Sequence, residues 1–480
     1  MVVYLTDAIA NCEKALSGES DFSQACQMLG NILQSMGKFE DALVWHTRAR
    51  QPQPDIADTY TSLGSLYTLQ QQWQEAIAAY EKVLNLKPGA VQAYFGIGEV
   101  FSQTGQPQDA IESWYQALEL EPRLATSEAH CDLGNLLFKW GKFTQAAACY
   151  QRALKRDANS VEALHNLGEI LMFQGRWEEA IACYQQVLNQ YPEANWAYHK
   201  LGEVLSQQGK LDEAIDAYRQ AIALNPDFPW SHHHLIEILH RQERWQDAIA
   251  ASRAAIAHNR DMPWAYTQLG RALVQVGQPS LAIACHHRAC KLRNWPQCGE
   301  KNYQFTEDWF SHNLPTWDEH LQSLAGVPHL QILEIGSFQG MSACWFLDKL
   351  LTHPTARLTC IDPSFHPQFD ANLRKTGAAE KATTLTALSH SVLPTLPQDS
   401  FDVIYIDGCH LADYVYHDAA LAWGLLKIGG LIIFDDYKWT DPHHPDDDPK
   451  LGIDKFLTLV QHQIEILHKD YQVILKRLSP

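Results

Sequence analysis

The 480-residue chain is short of positive charge. Its 37 Lys and Arg face 56 Asp and Glu, for a formal net charge of −19. A surface that neutralises phosphates needs the opposite balance, which argues against an obligate nucleic-acid partner. The chain also lacks an apolar run long enough to span a bilayer, and a basic amphipathic run for an anionic membrane surface. The opening Met1-Val-Val-Tyr-Leu-Thr-Asp7 has neither a basic segment nor a long apolar core, so no secretory leader is expected. Eleven cysteines occur without a single CxxC pair. Set within helical patterns, Cys149, Cys183 and Cys285 read as small buried hydrophobes of a reduced, cytoplasmic protein. The composition, 46% hydrophobic and 19% charged, is that of a globular chain long enough for two or more cored domains.

What the N-terminal half has is a repeat of 34 residues. A glycine recurs at Gly30, Gly64, Gly98, Gly134, Gly168, Gly202 and Gly270. Twelve positions later comes an alanine: Ala42, Ala76, Ala110, Ala146, Ala180, Ala214, Ala248 and Ala282. Prolines close units at Pro54, Pro88, Pro122, Pro192 and Pro226, and Ile236 stands where a glycine is expected. Small residues let two antiparallel helices cross closely, and proline stops the second. A unit of this kind cannot bury its apolar face alone, so the units must stack. With Tyr80, Tyr150, Tyr184 and Tyr218, the pattern resembles the tetratricopeptide repeat. It implies an α-solenoid over residues 1–292, about eight repeats plus a leading half-repeat at Ala8. The resemblance implies a scaffold for binding a protein or peptide.

The first helix of each repeat would line the concave face. There Trp196, His199 and Glu203 are matched by Trp230, His233 and Glu237, and in part by Trp264; the preceding unit has His165 and Glu169. Spacings of three and four put each trio on one helix face. The set reads either as a ladder that holds a peptide or stacks sugar rings, or as the residue of repeat duplication. His232, His233 and His234 spread around a helix and do not form a metal site.

Residues 293–330 form an aromatic connector, with Trp295, Phe305, Trp309, Phe310 and Trp317. It reads as a lead-in helix packed on a domain at 331–480; for Asp308-Trp309-Phe310 packing is the first reading and a place near a ligand the second. In that domain strands are predicted at 331–335, 357–361, 383–388, 403–406 and 431–434, and a closing hairpin at 465–468 and 472–476. Helices are predicted near 340–351, 413–426 and 449–462. The alternation predicts an α/β domain with a mostly parallel seven-stranded sheet and one reversed strand. Its densest signal is Leu333-Glu-Ile-Gly-Ser-Phe-Gln-Gly340: a strand, a glycine turn and a helix start. Such a turn lets backbone approach a ligand, and an acid ending the second strand, Asp362, is placed for ribose hydroxyls.

This domain resembles the class I S-adenosylmethionine-dependent methyltransferases. It is most similar to a compact group whose first motif reads Glu-Ile-Gly-Ser-x-x-Gly-x-Ser; the wider superfamily favours a second glycine where this chain has Phe338. The resemblance implies a Rossmann-like fold in which Glu334, Gly336, Ser337 and Gly340 bound the methionine part of the cofactor. It also implies that Asp362 holds the ribose and that Ser389 lies near the adenine edge. Related O-methyltransferases bind Mg²⁺ with acids where this chain has Asp407, Asp435 and Asp436. A divalent ion lowers the pKa of an acceptor hydroxyl. His410 is the candidate general base, working with Asp407, because an imidazole titrates near neutral pH. Plainer roles stand beside these: Asp407 ordering the cofactor's amino group, the Asp435–Asp436 pair capping a loop, and His410 pinning it. The loop Trp439–Asp448 would rim the acceptor site. The expected function is methyl transfer to a hydroxyl of a small molecule or glycan, with the repeats recruiting the acceptor or a partner. The alternative is a scaffold whose methyltransferase-like domain is non-catalytic or only senses the cofactor.

Overall fold

The computed structural model describes Cys26, Gly30, Trp45 and residues 56–121, 126–440 and 447–479. The leading half-repeat at Ala8, with Ala42, Pro54, Pro122, His443 and His444, lies outside the described residues. The chain divides into two compact units, Met1–Leu224 and Asn225–Pro480.

In the first unit the described helices form antiparallel pairs: α1 (Ile56–Leu69) with α2 (Trp73–Leu86), α3 (Val91–Gln103) with α4 (Pro107–Leu120), and α5 (Ser127–Lys139) with α6 (Phe143–Arg156). Then follow α7 (Val161–Phe173) with α8 (Trp177–Gln190) and α9 (Asn195–Gln207) with α10 (Leu211–Leu224). The reason for the periodic glycine is a ring. A Cβ on Gly64, Gly134, Gly168 or Gly202 would stand 2.6–2.8 Å from the ring of Tyr80, Tyr150, Tyr184 or Tyr218, sixteen residues on. Each tyrosine is buried in the facing helix and fills the space the glycine leaves.

The second unit begins with two more pairs, α11 (Pro229–Arg241) with α12 (Trp245–His258) and α13 (Pro263–Gln275) with α14 (Pro279–Leu292). Proline occupies the first turn of α11, α13 and α14, where its missing N–H costs nothing. Gly270 faces His286 instead of a tyrosine. Where Ile236 replaces the glycine, the residue sixteen further on is Ser252, and both are fully buried. Large and small have exchanged places, so the pair conserves volume.

The α/β part of this unit has seven strands: β1 (Gln331–Ile335), β2 (Arg357–Asp362), β3 (Ala382–Thr386), β4 (Phe401–Ile406), β5 (Leu426–Phe434), β6 (Ile464–Lys469) and β7 (Val473–Arg477). Their order is β3-β2-β1-β4-β5-β7-β6, parallel except that β7 runs antiparallel to both neighbours. Nearly all of β1 and β4 is buried, as expected for strands covered on both faces. Register aligns Ile335 with Ile361 and Ile406, and Ile406 with Phe434. The residues that follow, Gly336, Asp362, Asp407 and Asp435, therefore leave the sheet at one edge. That edge carries the reversal of strand order, where β1 lies between β2 and β4.

The connector is not a lead-in helix over its length. Helix is confined to a short turn at Gln297–Glu300, a turn at Ser311–Asn313, α15 (Leu314–Leu321) and a turn at Gln322–Leu324 that continues it. Trp295, Tyr303, Phe305 and Trp317 are wholly buried in one cluster with Trp345 and Phe346. Asp348, with no side-chain exposure, ties the connector down by accepting from Trp295 Nε1 (2.9 Å), Tyr303 Oη (3.0 Å) and Lys301 Nζ (2.7 Å). After β1 the helix starts as α16 (Met341–Trp345) and continues as a π-helical turn over Phe346–Leu350. A helix not foreseen in the sequence, α17 (Phe369–Lys375), sits between β2 and β3; α18 (Ala412–Trp423) and α19 (Pro449–Val460) follow.

Candidate active site

The turn after β1 is built around close approach. Gly336 has φ +85°, and a Cβ there would lie 1.9 Å from the Asp407 carbonyl oxygen. Gly340 has φ +79° and faces the Phe369 ring. Phe338 adopts φ +43° between them, a left-handed conformation uncommon for a bulky residue, and its ring is exposed beside His366.

Asp362 closes this turn from β2. One carboxylate oxygen accepts from the backbone N–H of Ser337 (3.0 Å) and Phe338 (3.2 Å), and the other from Ser364 N–H (2.8 Å). Glu334 lies beneath, fully buried. It accepts from Ser337 Oγ (2.7 Å), from Ser342 Oγ and from Cys360 Sγ (3.2 Å). Burial pushes its carboxyl up to about 7, against the pull of these donors.

A cavity of about 780 Å³ opens over the turn. Gly336, Ser337, Asp362, Ser389, Asp407, His410, Asp435 and Asp436 all line it, whereas Glu334 and Gly340 do not; those two shape the turn from behind. At one end Ser389 Oγ donates to Asp418 (2.5 Å), whose carboxyl burial raises. At the other end the acids do not stand as three equivalent ligands. His410 Nε2 lies 3.0 Å from Asp436 and 4.0 Å from Asp407. Ligand atoms of Asp407, His410 and Asp436 fall within 4.8 Å of one another. Asp435 is engaged elsewhere: Asn313 Nδ2 donates to it (3.2 Å) and Tyr405 Oη lies 2.5 Å away.

Proton positions follow from this geometry. Hydrogen bonds to Asp407 and Asp436 push the His410 imidazole up to about 10. It is therefore protonated at neutral pH, the wrong state for a base at the start of a reaction. Tyr405 has one phenolic proton but touches both Asp407 (2.9 Å) and Asp435 (2.5 Å). Burial raises the Asp435 carboxyl well above the usual range, with Asp407 and Asp436 adding to it. A protonated Asp435 can then donate to Tyr405, which donates to Asp407. Burial also raises Asp407. Asp436 moves the other way, because hydrogen bonds from His410 and Tyr471 outweigh its burial.

Several of these side chains escaped the sequence reading. Tyr405 was within reach: it lies two residues before Asp407 on one strand, hence on the same face. Asn313 and Tyr471 come from the connector and from the β6–β7 turn, and nothing in their local sequence marks them. Of Asp308-Trp309-Phe310, Trp309 and Phe310 line the cavity, but the Asp308 side chain is buried beside Arg293.

The repeated trios are not equivalent. His199 is buried, with Nε2 3.2 Å from Glu203 and its ring against Tyr218. Glu237 pairs with His234 (3.7 Å), while His233 packs on Trp264 (5.1 Å) and Trp230 stays exposed. Trp196 packs edge-on against His165 (4.9 Å) and borders a cleft of about 570 Å³ with Val161, Tyr191 and Pro192. Among the described residues no helix is long and apolar enough to cross a membrane.

Residues 333–437 match the family described as a methyltransferase domain. Residues 64–105 match the family described as TPR repeat, and 91–124, 127–160, 160–227 and 199–263 match families described as tetratricopeptide repeat. None of the curated proteins compared matches the sequence. Among solved structures, YrrB, described as a TPR protein with an unusual peptide-binding site, is 25% identical over 37% of this chain and 90% of its own, with a TM-score of 0.30. The MamA protein is 26% identical over 36% and 92%, with a TM-score of 0.27. MamA 41-end from Desulfovibrio magneticus RS-1 is 21% identical over 36% and 96%, with a TM-score of 0.31. The chain thus joins an array of tetratricopeptide repeats to a methyltransferase domain.

Proposed function

We propose that the protein is an S-adenosylmethionine-dependent O-methyltransferase acting on a hydroxyl of a small molecule or glycan, with the repeats recruiting the acceptor or a partner protein. One observation carries the reading. A single cavity joins the Gly336 turn and Asp362 to the Asp407–His410–Asp436 group. A sulfonium donor seated on the turn would present its methyl group toward side chains able to take a hydroxyl proton. Gly336 and Ser337 would border the methionine part, over the turn that Glu334 and Gly340 hold. Asp362 would receive the ribose hydroxyls, and Ser389 with Asp418 would face the adenine.

In methyl transfer an O–C bond forms, the C–S bond breaks, the sulfonium becomes a neutral thioether, and the hydroxyl proton must leave. With His410 already protonated, Asp407 is the better acceptor of that proton. Its carboxyl is raised, and Tyr405 and His410 hold it in place. The catalytic pair is thus Asp407 as base and His410 as the cation that orients Asp436 and Asp407. A divalent cation such as Mg²⁺ is an alternative to this arrangement: Asp407 and Asp436 would hold it, with His410 as a third ligand only after losing its proton. When bound it would lower the pKa of the acceptor hydroxyl.

The test is calorimetric titration of S-adenosylmethionine and of its demethylated product, with and without Mg²⁺, into the wild type and Asp362→Ala. Tight binding that Asp362→Ala abolishes supports the cofactor site. With an acceptor in hand, Asp407→Asn should slow transfer on the order of 100-fold. Absence of cofactor binding in every condition would leave a scaffold with a vestigial domain.

A further inference from the structure

We infer that the acceptor is an uncharged, hydroxyl-bearing ring that lies on the Trp309 indole, a platform held by the last helix pair of the repeats. The inference rests on the methyltransferase reading and concerns the acceptor end of that site. Two independent observations lead to it.

The first is the charge of the cavity. Glu307, Asp362, Asp407, Asp418, Asp435 and Asp436 line it with His390 and His410, and no Lys or Arg does among the described residues; with Asp435 neutral and His410 charged, the acids still outnumber the cation. Such a wall suits a sulfonium donor. It repels a phosphorylated or carboxylate-bearing acceptor, while the sulfonium beside it repels a cationic one. A neutral acceptor is what remains.

The second is the state of Trp309. Its ring is 56% exposed, yet it lines the cavity. Its Nε1 donates to Glu307 (2.5 Å), which fixes the ring's rotation. The Arg271 guanidinium of α13 lies 5.0 Å from the ring centroid, a cation–π contact that further holds the indole, and is not itself part of the cavity wall. The next residue, Asp308, is buried and accepts from Thr267 Oγ1 of α13 (3.0 Å) and from the Ser311 N–H (2.8 Å). An exposed aromatic surface already held in one orientation loses little entropy when a flat ring face settles on it. Trp439, tilted against His410 at 5.0 Å, gives the same cavity a second indole beside the acid group.

The experiment uses the full chain saturated with S-adenosylhomocysteine and ligand-observed saturation-transfer NMR. The probes are the methyl glycosides of glucose, galactose, mannose and N-acetylglucosamine, each beside the corresponding sugar phosphate. Calorimetry first measures the affinity of each variant for S-adenosylhomocysteine. The neutral glycosides are expected to give signal and the phosphates none. Trp309→Ala should cut the signal at least fivefold, Arg271→Gln about twofold, and Trp309→Phe should restore most of it, all with cofactor-product affinity within twofold of wild type. Preferential binding of the phosphates, silence of every neutral glycoside, or indifference to Trp309→Ala in protein that binds S-adenosylhomocysteine overturns this inference alone. Failure to bind S-adenosylhomocysteine overturns the methyltransferase reading and this inference with it.

Discussion

Glu334 is a carboxyl with no exposure, held by two hydroxyls and a thiol beneath the cofactor turn. Its pKa of about 7 lies above the ordinary 4.5 because burial penalises the charged form more than the three donors favour it. The native state therefore binds this proton more tightly than the unfolded chain. Stability contributed by the neutral form is full below about 4.5 and is lost as pH rises toward and past 7. At about 1.4 kcal/mol per unit, the whole loss is about 3–4 kcal/mol. Urea midpoints at pH 5.5 and pH 8 should separate more in the wild type than in Glu334→Gln; equal separation would show that another group holds the proton. Gly336 gives the second prediction at this scale. Alanine there must adopt φ +85° and push against the Asp407 carbonyl, so Gly336→Ala should cost on the order of 2–4 kcal/mol and abolish S-adenosylmethionine binding. Calorimetry beside a melting curve tells the two losses apart.

At the scale of elements, legibility followed periodicity. The repeat helices were readable because a glycine and a large ring sixteen residues apart complement each other in most units, with Trp114 or His286 in place of the tyrosine at Gly98 and Gly270. The sheet was readable because β1, β4 and β5 are short apolar runs that end on Gly336, Asp407 and Asp435. Helix α17 has only seven residues, too few to display a period, and the connector has none because its backbone is held by side chains from distant segments. Its order depends on Asp348, which receives Trp295, Tyr303 and Lys301 from residues some fifty positions earlier. The same logic hid Asn313 and Tyr471, which reach the acid group only through tertiary packing. Asp348→Ala would strand the buried Trp295 and Tyr303 donors, while Lys301, a third exposed, keeps the Thr376 carbonyl; the loss is about 3 kcal/mol. It should also weaken cofactor binding, because the connector grips the turn through Gln339, whose side chain bonds both the N–H (2.9 Å) and the hydroxyl (2.7 Å) of Thr306. Asp348→Asn, which keeps an acceptor, should lose less. Equal unfolding midpoints for wild type and Asp348→Ala would refute this account of the connector.

At the scale of the molecule, the question is where the catalytic part begins. Composition changes after Leu292, which suggests a boundary at 292/293, but the second compact unit starts at Asn225 and includes α11–α14. The physical reason lies in α13 and α14. His286 Nδ1 meets the Phe305 carbonyl (3.0 Å), His287 Nε2 meets that of Tyr303 (2.7 Å), and Arg293 donates to both Thr267 (3.1 Å) and Ser311 (2.6 Å). Cys290 of α14 belongs to the same buried cluster as Trp295, Trp317 and Trp345. These repeat helices thus act as a wall of the catalytic core, and repeat periodicity conceals that second duty because it constrains only the face turned to the neighbouring helix. A fragment of residues 225–480 should fold alone and bind S-adenosylhomocysteine with the affinity of the full chain. A fragment of residues 293–480 removes His286, His287 and Thr267, the partners of Phe305, Tyr303 and Asp308, and uncovers the connector aromatics. Several hydrogen bonds and one face of a core are lost together, a deficit comparable with the 5–15 kcal/mol that holds a whole domain folded. It should therefore be recovered as aggregate, or as a species without a cooperative melting transition. A soluble 293–480 fragment that melts cooperatively and binds the cofactor product would show that the last repeats are appended to the catalytic core and not part of it.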